Sequence, residues 1–148
     1  MVKIGSPGRS TEFRKQTTKQ VENLGITEDV IFVDHVPDDH LPHYYSSACV
    51  LVFPSLYEGF GFPPLEAMAC GCPVITSNTS SLPEVAGDAA LMVDPYDVDG
   101  LAKAIAEVLT NDELRKEMIE RGLAHAQKFS WEKAVKQTLE VYEKVAGV

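Results

Sequence analysis

Two glutamates, Glu58 and Glu66, flank the short stretch of sequence that is best suited to chemistry, within YEGFGFPPLEAMACGCP at residues 57–73. Between the two carboxylates stand two glycines, two phenylalanines and two adjacent prolines. Glycine permits left-handed backbone and lets a ligand come close to the chain. Proline is favoured in the first turn of a helix. The stretch is therefore predicted to be a ligand-binding loop that leads into a helix at Pro63 or Pro64.

The types of residue in this loop indicate what kind of ligand it could hold. Free backbone N–H groups from Gly59 to Phe62, at a helix N-terminus, suit a phosphate. A carboxylate repels phosphate, but it readily accepts hydrogen bonds from the neighbouring hydroxyls of a sugar. With Glu58 before the loop and Glu66 expected in the first helical turn, the arrangement fits a ligand with phosphates in its middle and a sugar at each end. A nucleotide-diphosphate sugar has this form. Taken singly, Glu66 could instead compensate a helix dipole, and Glu58 could be a solvated charge.

The elements that must position this loop alternate between strand and helix. The predicted strands are short and apolar: Val2–Gly5, Val30–Val36, Cys49–Phe53, Pro73–Ser77 and Ala90–Val93. The predicted helices are Thr11–Leu24, Pro37–Ser47, Pro63–Cys70, Leu82–Ala86 and Val98–Leu109, followed by Asp112–Lys128 and Trp131–Ala146. Such alternation predicts an α/β doubly wound parallel sheet of five strands with two extra C-terminal helices, forming one domain over residues 1–148. Ligands bind such sheets at the carboxyl ends of the strands.

Composition excludes several classes of protein. The net charge of −9 argues against a nucleic-acid partner, and residues 26–110 carry thirteen acidic residues but a single lysine. No apolar run approaches the ~20 residues of a membrane-spanning helix. The three cysteines are few and lie in apolar segments, which favours a reducing, cytoplasmic location. The chain is thus expected to be a globular domain without a nucleic-acid partner or a transmembrane segment.

A longer stretch, FPSLYEGFGFPPLEAMACGCPVITSNTSSLPEVAGDAALMVDP at residues 53–95, resembles the donor-binding segment of retaining GT-B glycosyltransferases of family 4 (glycosyl transferases group 1, mannosyltransferase-like). Their E-x7-E motif matches Glu58 and Glu66, and the closing FSWEKAVKQTLEVY is also similar. The resemblance implies that Glu66 binds the ribose diol and that Glu58, as the catalytic candidate, faces the transferred sugar. The other residues it implies for donor binding are Gly59, Phe60, Gly61 and Phe62 at the sugar and phosphates, and His35, Val36 and Pro37 at the base.

What the resemblance implies for function is the transfer of a hexose from a UDP- or GDP-linked donor with retention of configuration, without a metal or cofactor. By the same resemblance, the chain starts at the family's second strand. It is therefore expected to be without the family's first strand–helix unit, whose Arg and Lys clamp the pyrophosphate, and without the family's N-terminal acceptor-binding domain. Arg9, at the end of the first strand, is then the best-placed cation for the diphosphate. The isolated chain is expected to bind nucleotide weakly and to transfer no sugar.

The strand that the resemblance omits would lie at the centre of the family's sheet. The first strand is therefore expected to pair directly with the third, giving the flavodoxin-like order 2-1-3-4-5. A homodimer in which a second chain fills the gap is the alternative. Trp131 and Tyr142 are expected to anchor the last helix to the sheet.

The sequence also allows alternatives to a transferase domain. The chain could be a non-catalytic nucleotide or nucleotide-sugar binding module, or a truncated or engineered flavodoxin-like scaffold without activity. GSPGRST at residues 5–11 lacks the spacing of a P-loop, although a flavin-type phosphate loop stays open there. Cys70 and Cys72 lack a partner pair at zinc-binding spacing, so they are predicted to be packed thiols and no metal site is expected.

Overall fold

The computed structural model describes residues 1–5 and 11–147, with the side chain of Thr11 excepted. Its strands are β1 (Val2–Ile4), β2 (Ile31–Val33), β3 (Leu51–Phe53), β4 (Val74–Ser77) and β5 (Leu91–Val93). Its helices are α1 (Thr11–Asn23), α2 (Leu41–Ser47), α3 (Phe62–Ala69), α4 (Leu82–Ala86), α5 (Val98–Thr110), α6 (Asp112–Ala126) and α7 (Trp131–Ala146). Single turns of 3-10 helix lie at Thr27–Asp29 and Gly87–Ala89. The predicted α/β class is confirmed.

The chain divides into two compact units, Met1–Leu41 and Pro42–Val148. In the first unit β1 and β2 pair in parallel, with Val2 opposite Ile31. In the second unit the strands pair in parallel in the order β3-β4-β5. The interpretation of residues 1–148 as one domain stays a prediction.

The strands are thus divided differently from the single five-stranded sheet that was expected. The neighbours within each sheet agree with the order 2-1-3-4-5, but the β1–β3 pairing is absent from the ladders that the described residues form. Two sheets, one of two strands and one of three, therefore replace the predicted continuous sheet. The homodimer stays a prediction.

The centre of the second unit is β4, which is buried along its whole length. Successive side chains of a strand point to opposite faces. Val74 accordingly belongs to one apolar cluster, with Met68 of α3. Ile75 belongs to another, with Val108 of α5. Helices therefore cover both faces of the three-stranded sheet, and α3 packs on this sheet through its buried side chains.

The last helix, α7, has no buried residue. Trp131 is 77% exposed and Tyr142 is 66% exposed, so the prediction that they anchor this helix to the sheet is wrong. The predicted bounds of α7 nevertheless agree with the structure. The Ser130 hydroxyl accepts a hydrogen bond from the backbone N–H of Lys133 at 3.1 Å, as an N-cap does. Within the described part of the chain, no helix has the length and apolar character needed to cross a bilayer.

Candidate functional site

The loop between β3 and α3 runs from Pro54 to Gly61, and α3 begins at Phe62, one residue before the predicted start. Gly61 is the N-cap of α3 and has a φ of 109° and a ψ of 53°. A Cβ atom at this position would lie 2.7 Å from Cδ2 of Leu82, which is fully buried. Glycine is therefore required at position 61 both by the backbone conformation and by the space available.

Hydroxyl groups from the segment between β4 and α4 hold this loop in place. The Ser80 hydroxyl accepts a hydrogen bond from the backbone N–H of Glu58 at 3.1 Å and lies 2.7 Å from the carbonyl oxygen of the same residue. The Ser81 hydroxyl lies 3.0 Å from the carbonyl oxygen of Glu58 and 2.8 Å from that of Phe60. Thr79 donates to the carbonyl oxygen of Leu56 at 3.2 Å. We call Thr79, Ser80 and Ser81 the hydroxyl clamp.

The hydroxyl clamp includes a strained residue. Ser80 has a φ of 59°, the one positive φ at a non-glycine position in the described backbone. A left-handed non-glycine residue costs of order 1–3 kcal/mol and persists where its surroundings over-determine it. The two contacts of the Ser80 hydroxyl with the backbone of Glu58 hold Ser80 in this conformation. The sequence prediction missed the clamp, although a signal existed: SNTSS follows a buried strand whose neighbour, β3, leads into the loop.

The Glu58 carboxylate is oriented from within the loop. The Ser55 hydroxyl donates to Oε1 of Glu58 at 2.8 Å, and the side chain is half-buried. Ser55 is itself fixed, because its carbonyl oxygen accepts a hydrogen bond from Ser77. Oε2 of Glu58 has no hydrogen bond among the described residues, so it is the oxygen available to a ligand.

The second carboxylate, Glu66, lies in the second turn of α3. The first turn contains no acidic residue, so the prediction that Glu66 lies in the first turn is wrong; Glu66 is about 7.5 Å along the helix axis from Gly61. The Tyr45 hydroxyl donates to Oε2 of Glu66 at 3.0 Å. The pKa of Tyr45 is raised above its ordinary value of 10.0, mainly by burial and next by the negative charge of Glu66. The phenol is therefore a neutral donor at physiological pH.

The two phenylalanines of the loop pack against the C-terminal helices. The rings of Phe60 and Phe62 have centroids 4.8 Å apart. Phe60 meets Phe129 edge-on, and Phe62 stacks on Trp131, each with centroids 6.2 Å apart. These rings border a cleft of about 880 Å³ that Glu66 also lines. What Phe60 and Phe62 could offer a diphosphate is therefore their backbone N–H groups.

The remaining predicted site residues lie elsewhere. His35, Val36 and Pro37 follow β2 in the first unit, where Val36 is buried and the other two are exposed. Arg9 and most of GSPGRST lie outside the described residues. The structure thus brings together Glu58, Gly59–Phe62 and Glu66 on one loop and helix of the second unit.

The three cysteines are free thiols, and their environments differ. Burial raises the pKa of Cys72 from 9.0 to about 11 and raises that of Cys70 as well, whereas Cys49 is exposed. In the described ranges, no group of three or more His, Cys, Asp or Glu side chains is arranged to hold a metal. The expectation of a metal-free mechanism stays a prediction.

Comparison with known proteins identifies the class to which this α/β fold and its glycine loop belong. The family described as Glycosyl transferases group 1 matches residues 2–125, and the chain belongs to this family. The chain is 50% identical over 112 residues to the O-antigen chain mannosyltransferase B of Escherichia coli, a match that covers 76% of this chain and 29% of that protein. The chain therefore spans less than a third of that relative's length.

Solved structures of glycosyltransferases confirm the predicted resemblance to the GT-B class. Sucrose-phosphate synthase from Thermosynechococcus elongatus superimposes with a TM-score of 0.85 at 33% identity, covering 99% of this chain and 38% of that one. Anabaena HepE in complex with UDP-glucose superimposes with a TM-score of 0.84, covering 99% of this chain and 40% of that one. Its identity of 20% means that this second likeness concerns the fold alone.

Proposed function

We propose that residues 1–148 are the donor-binding domain of a retaining glycosyltransferase, which holds a UDP- or GDP-linked hexose at the loop between β3 and α3. The observation that carries this proposal is which backbone groups of the loop are hydrogen-bonded and which are free. The hydroxyl clamp occupies carbonyl groups of the loop. The N–H groups of Gly59, Phe60 and Gly61 make no backbone hydrogen bond within the described residues. The clamp takes up one loop donor, the N–H of Glu58, and leaves the next three free, so that the loop is prepared for an anion.

Each part of the donor has a proposed partner. The diphosphate accepts hydrogen bonds from the loop N–H groups beside the positive end of α3, which stabilises the leaving group as its charge develops. The Glu66 carboxylate accepts hydrogen bonds from the two ribose hydroxyls. Glu58, with Oε1 held by Ser55, turns Oε2 towards the transferred sugar. Hydrogen bonds to a charged group contribute about 1.5–3 kcal/mol each.

Two further groups complete the proposed donor site. Arg9 supplies a cation for the diphosphate, and His35–Pro37 border the base. Both assignments rest on the family resemblance, since Arg9 lies outside the described residues and His35–Pro37 belong to the other unit. The acceptor is bound by parts of the parent protein beyond these 148 residues, because the chain spans 29% of the Escherichia coli relative. The free thiols support a cytoplasmic location.

The transferred hexose is proposed to be mannose, because the relative that is 50% identical is named a mannosyltransferase. A transfer assay tests this. The full-length parent should transfer mannose from GDP-mannose or UDP-mannose to a glycan acceptor, and NMR of the product should give the same anomeric configuration as the donor. Glu107→Ala, which removes an exposed carboxylate from α5, is a control that should keep full activity. Inversion of configuration, or nucleotide binding without any transfer, would contradict the proposal.

A further inference from the structure

One hydrogen bond joins the surface carboxylate of Glu66 to the apolar core. Tyr45 lies in α2, and its half-buried side chain packs against the cluster formed by Ala67, Met68 and Cys72 together with neighbouring small residues. Its hydroxyl reaches Oε2 of Glu66 at 3.0 Å. Glu66 itself is exposed. The bond therefore has one end fixed by packing and the other on a side chain that would otherwise move freely.

Fixing this carboxylate before a ligand arrives lowers the entropy cost of binding that ligand. A glutamate side chain loses rotamer entropy when it is immobilised, and a ligand that binds a prepared group avoids part of that cost. The Tyr45 ring has only two side-chain torsions and is held by its packing, so it makes a rigid tether. Burial is the main cause that raises the pKa of Tyr45, and the charge of Glu66 is the second. The hydroxyl therefore stays a donor at any physiological pH.

The tether also leaves the carboxylate able to bind a diol. An ionised carboxylate offers about four lone-pair sites, and the Tyr45 hydroxyl occupies one of them, on Oε2. Among the residues that the structure describes, Oε1 of Glu66 accepts no hydrogen bond, and one site on Oε2 is open as well. Two adjacent hydroxyls of one sugar can therefore each find an acceptor on a carboxylate whose plane is already set.

We propose that Tyr45 is a positioning residue that orients Glu66 towards the 2′- and 3′-hydroxyls of the donor's ribose, and so determines how strongly the site prefers ribonucleotides over deoxyribonucleotides. This inference rests on the proposed function of Glu66 as the ribose ligand. Tyr45 touches the carboxylate and not the nucleotide, so its effect appears only when a ribose hydroxyl is present.

The substitution Tyr45→Phe keeps the packed ring and removes only the hydroxyl. Calorimetric titration of the full chain with UDP and GDP should show roughly three- to tenfold weaker binding than wild type, as expected for about 1 kcal/mol of lost hydrogen bonding. Titration with the 2′,3′-dideoxy forms of the same nucleotides should show no change. In a Glu66→Ala background, Tyr45→Phe should have no further effect on either nucleotide.

Tyr44 provides the matched control, because it is the neighbouring tyrosine on α2 and its hydroxyl makes no hydrogen bond among the described residues. Tyr44→Phe should leave every affinity unchanged. If Tyr45→Phe weakens ribo and dideoxy nucleotides equally, or weakens neither, the positioning role is wrong while the ribose assignment of Glu66 stands. If the wild-type chain binds no nucleotide, the proposed function fails and this inference fails with it.

Discussion

Replacing Gly61 by alanine should destabilise the second unit by several kcal/mol. The added Cβ atom would lie 2.7 Å from Cδ2 of Leu82, closer than any van der Waals contact. Leu82 is fully buried, so its side chain has little room to move aside. The alanine would also have to adopt a φ of 109°.

The two effects can be estimated separately. A non-glycine residue held in a sparsely populated backbone region costs roughly 1–3 kcal/mol. Overpacking a well-filled core typically costs about 1–3 kcal/mol more. Together they predict a loss of about 2–6 kcal/mol, a large share of the roughly 5–15 kcal/mol by which a domain is stable.

The loop supplies its own control in Gly59. That residue has no positive φ, and a Cβ atom there would meet nothing within 4 Å. Gly59→Ala should therefore change the unfolding free energy by less than about 0.5 kcal/mol, the range expected for an open surface site. Urea unfolding followed by circular dichroism measures both variants against wild type.

A double-mutant cycle separates the steric effect from the backbone effect. Leu82→Val shortens the side chain that Gly61→Ala would strike, so the alanine should cost about 1–3 kcal/mol less in that background. Equal unfolding midpoints for Gly61→Ala and wild type would refute the geometry given for the loop. An alanine cost that does not change with Leu82→Val would refute the steric part alone.

Three further predictions follow from the hydroxyl clamp, a buried thiol and the proposed cation. Ser81→Ala should cost about 1 kcal/mol of stability and weaken donor binding, as measured by urea unfolding and calorimetry; unchanged binding would exclude a positioning role for the clamp. Because burial raises the pKa of Cys72 from 9.0 to about 11, its stabilising effect is complete below pH 9 and is lost as the pH rises towards 11. Between pH 8 and 10 the unfolding free energy should fall about 1.4 kcal/mol more in wild type than in Cys72→Ala, and parallel pH profiles would contradict this. Arg9→Ala should weaken binding of UDP or GDP but not of the uncharged nucleoside. Tight diphosphate binding by this variant would show that Arg9 does not contact the diphosphate.

The elements that the sequence predicted best are those whose ends carry local signals. The predicted bounds of α4 and α7 agree with the structure. The helix α6 begins at the predicted Asp112, directly after Asn111, whose side chain accepts a hydrogen bond from the backbone N–H of Leu114 as an N-cap does. The strands were predicted too long, with Val30–Val36 against an observed Ile31–Val33. Apolar runs continue past the last ladder bond, and only pairing with a neighbour fixes where a strand ends.

The parts of the site that the sequence could not predict depend on contacts between distant residues. The E-x7-E spacing located Glu58 and Glu66, but only the Ser55 partner of the Glu58 carboxylate is local in sequence. Ser80, which holds the backbone of Glu58, is 22 residues away, and Tyr45 is 21 residues from Glu66. Serine and tyrosine hydroxyls have no strong preference among the carbonyls and carboxylates of a fold. Their partners follow from the way α2, α4 and the loop pack together, which no spacing rule encodes.

The central claim is that Glu66 holds the ribose and Glu58 the transferred sugar of one bound donor. Calorimetric titration of the 148-residue chain with a nucleoside diphosphate and with the matching nucleotide sugar tests it most directly. Glu66→Ala should weaken both ligands at least tenfold, because it removes two charge-assisted hydrogen bonds worth about 1.5–3 kcal/mol each. Glu58→Gln should weaken only the nucleotide sugar. Unchanged affinity of Glu66→Ala for the nucleoside diphosphate, or an equal loss for both ligands in Glu58→Gln, would contradict the account.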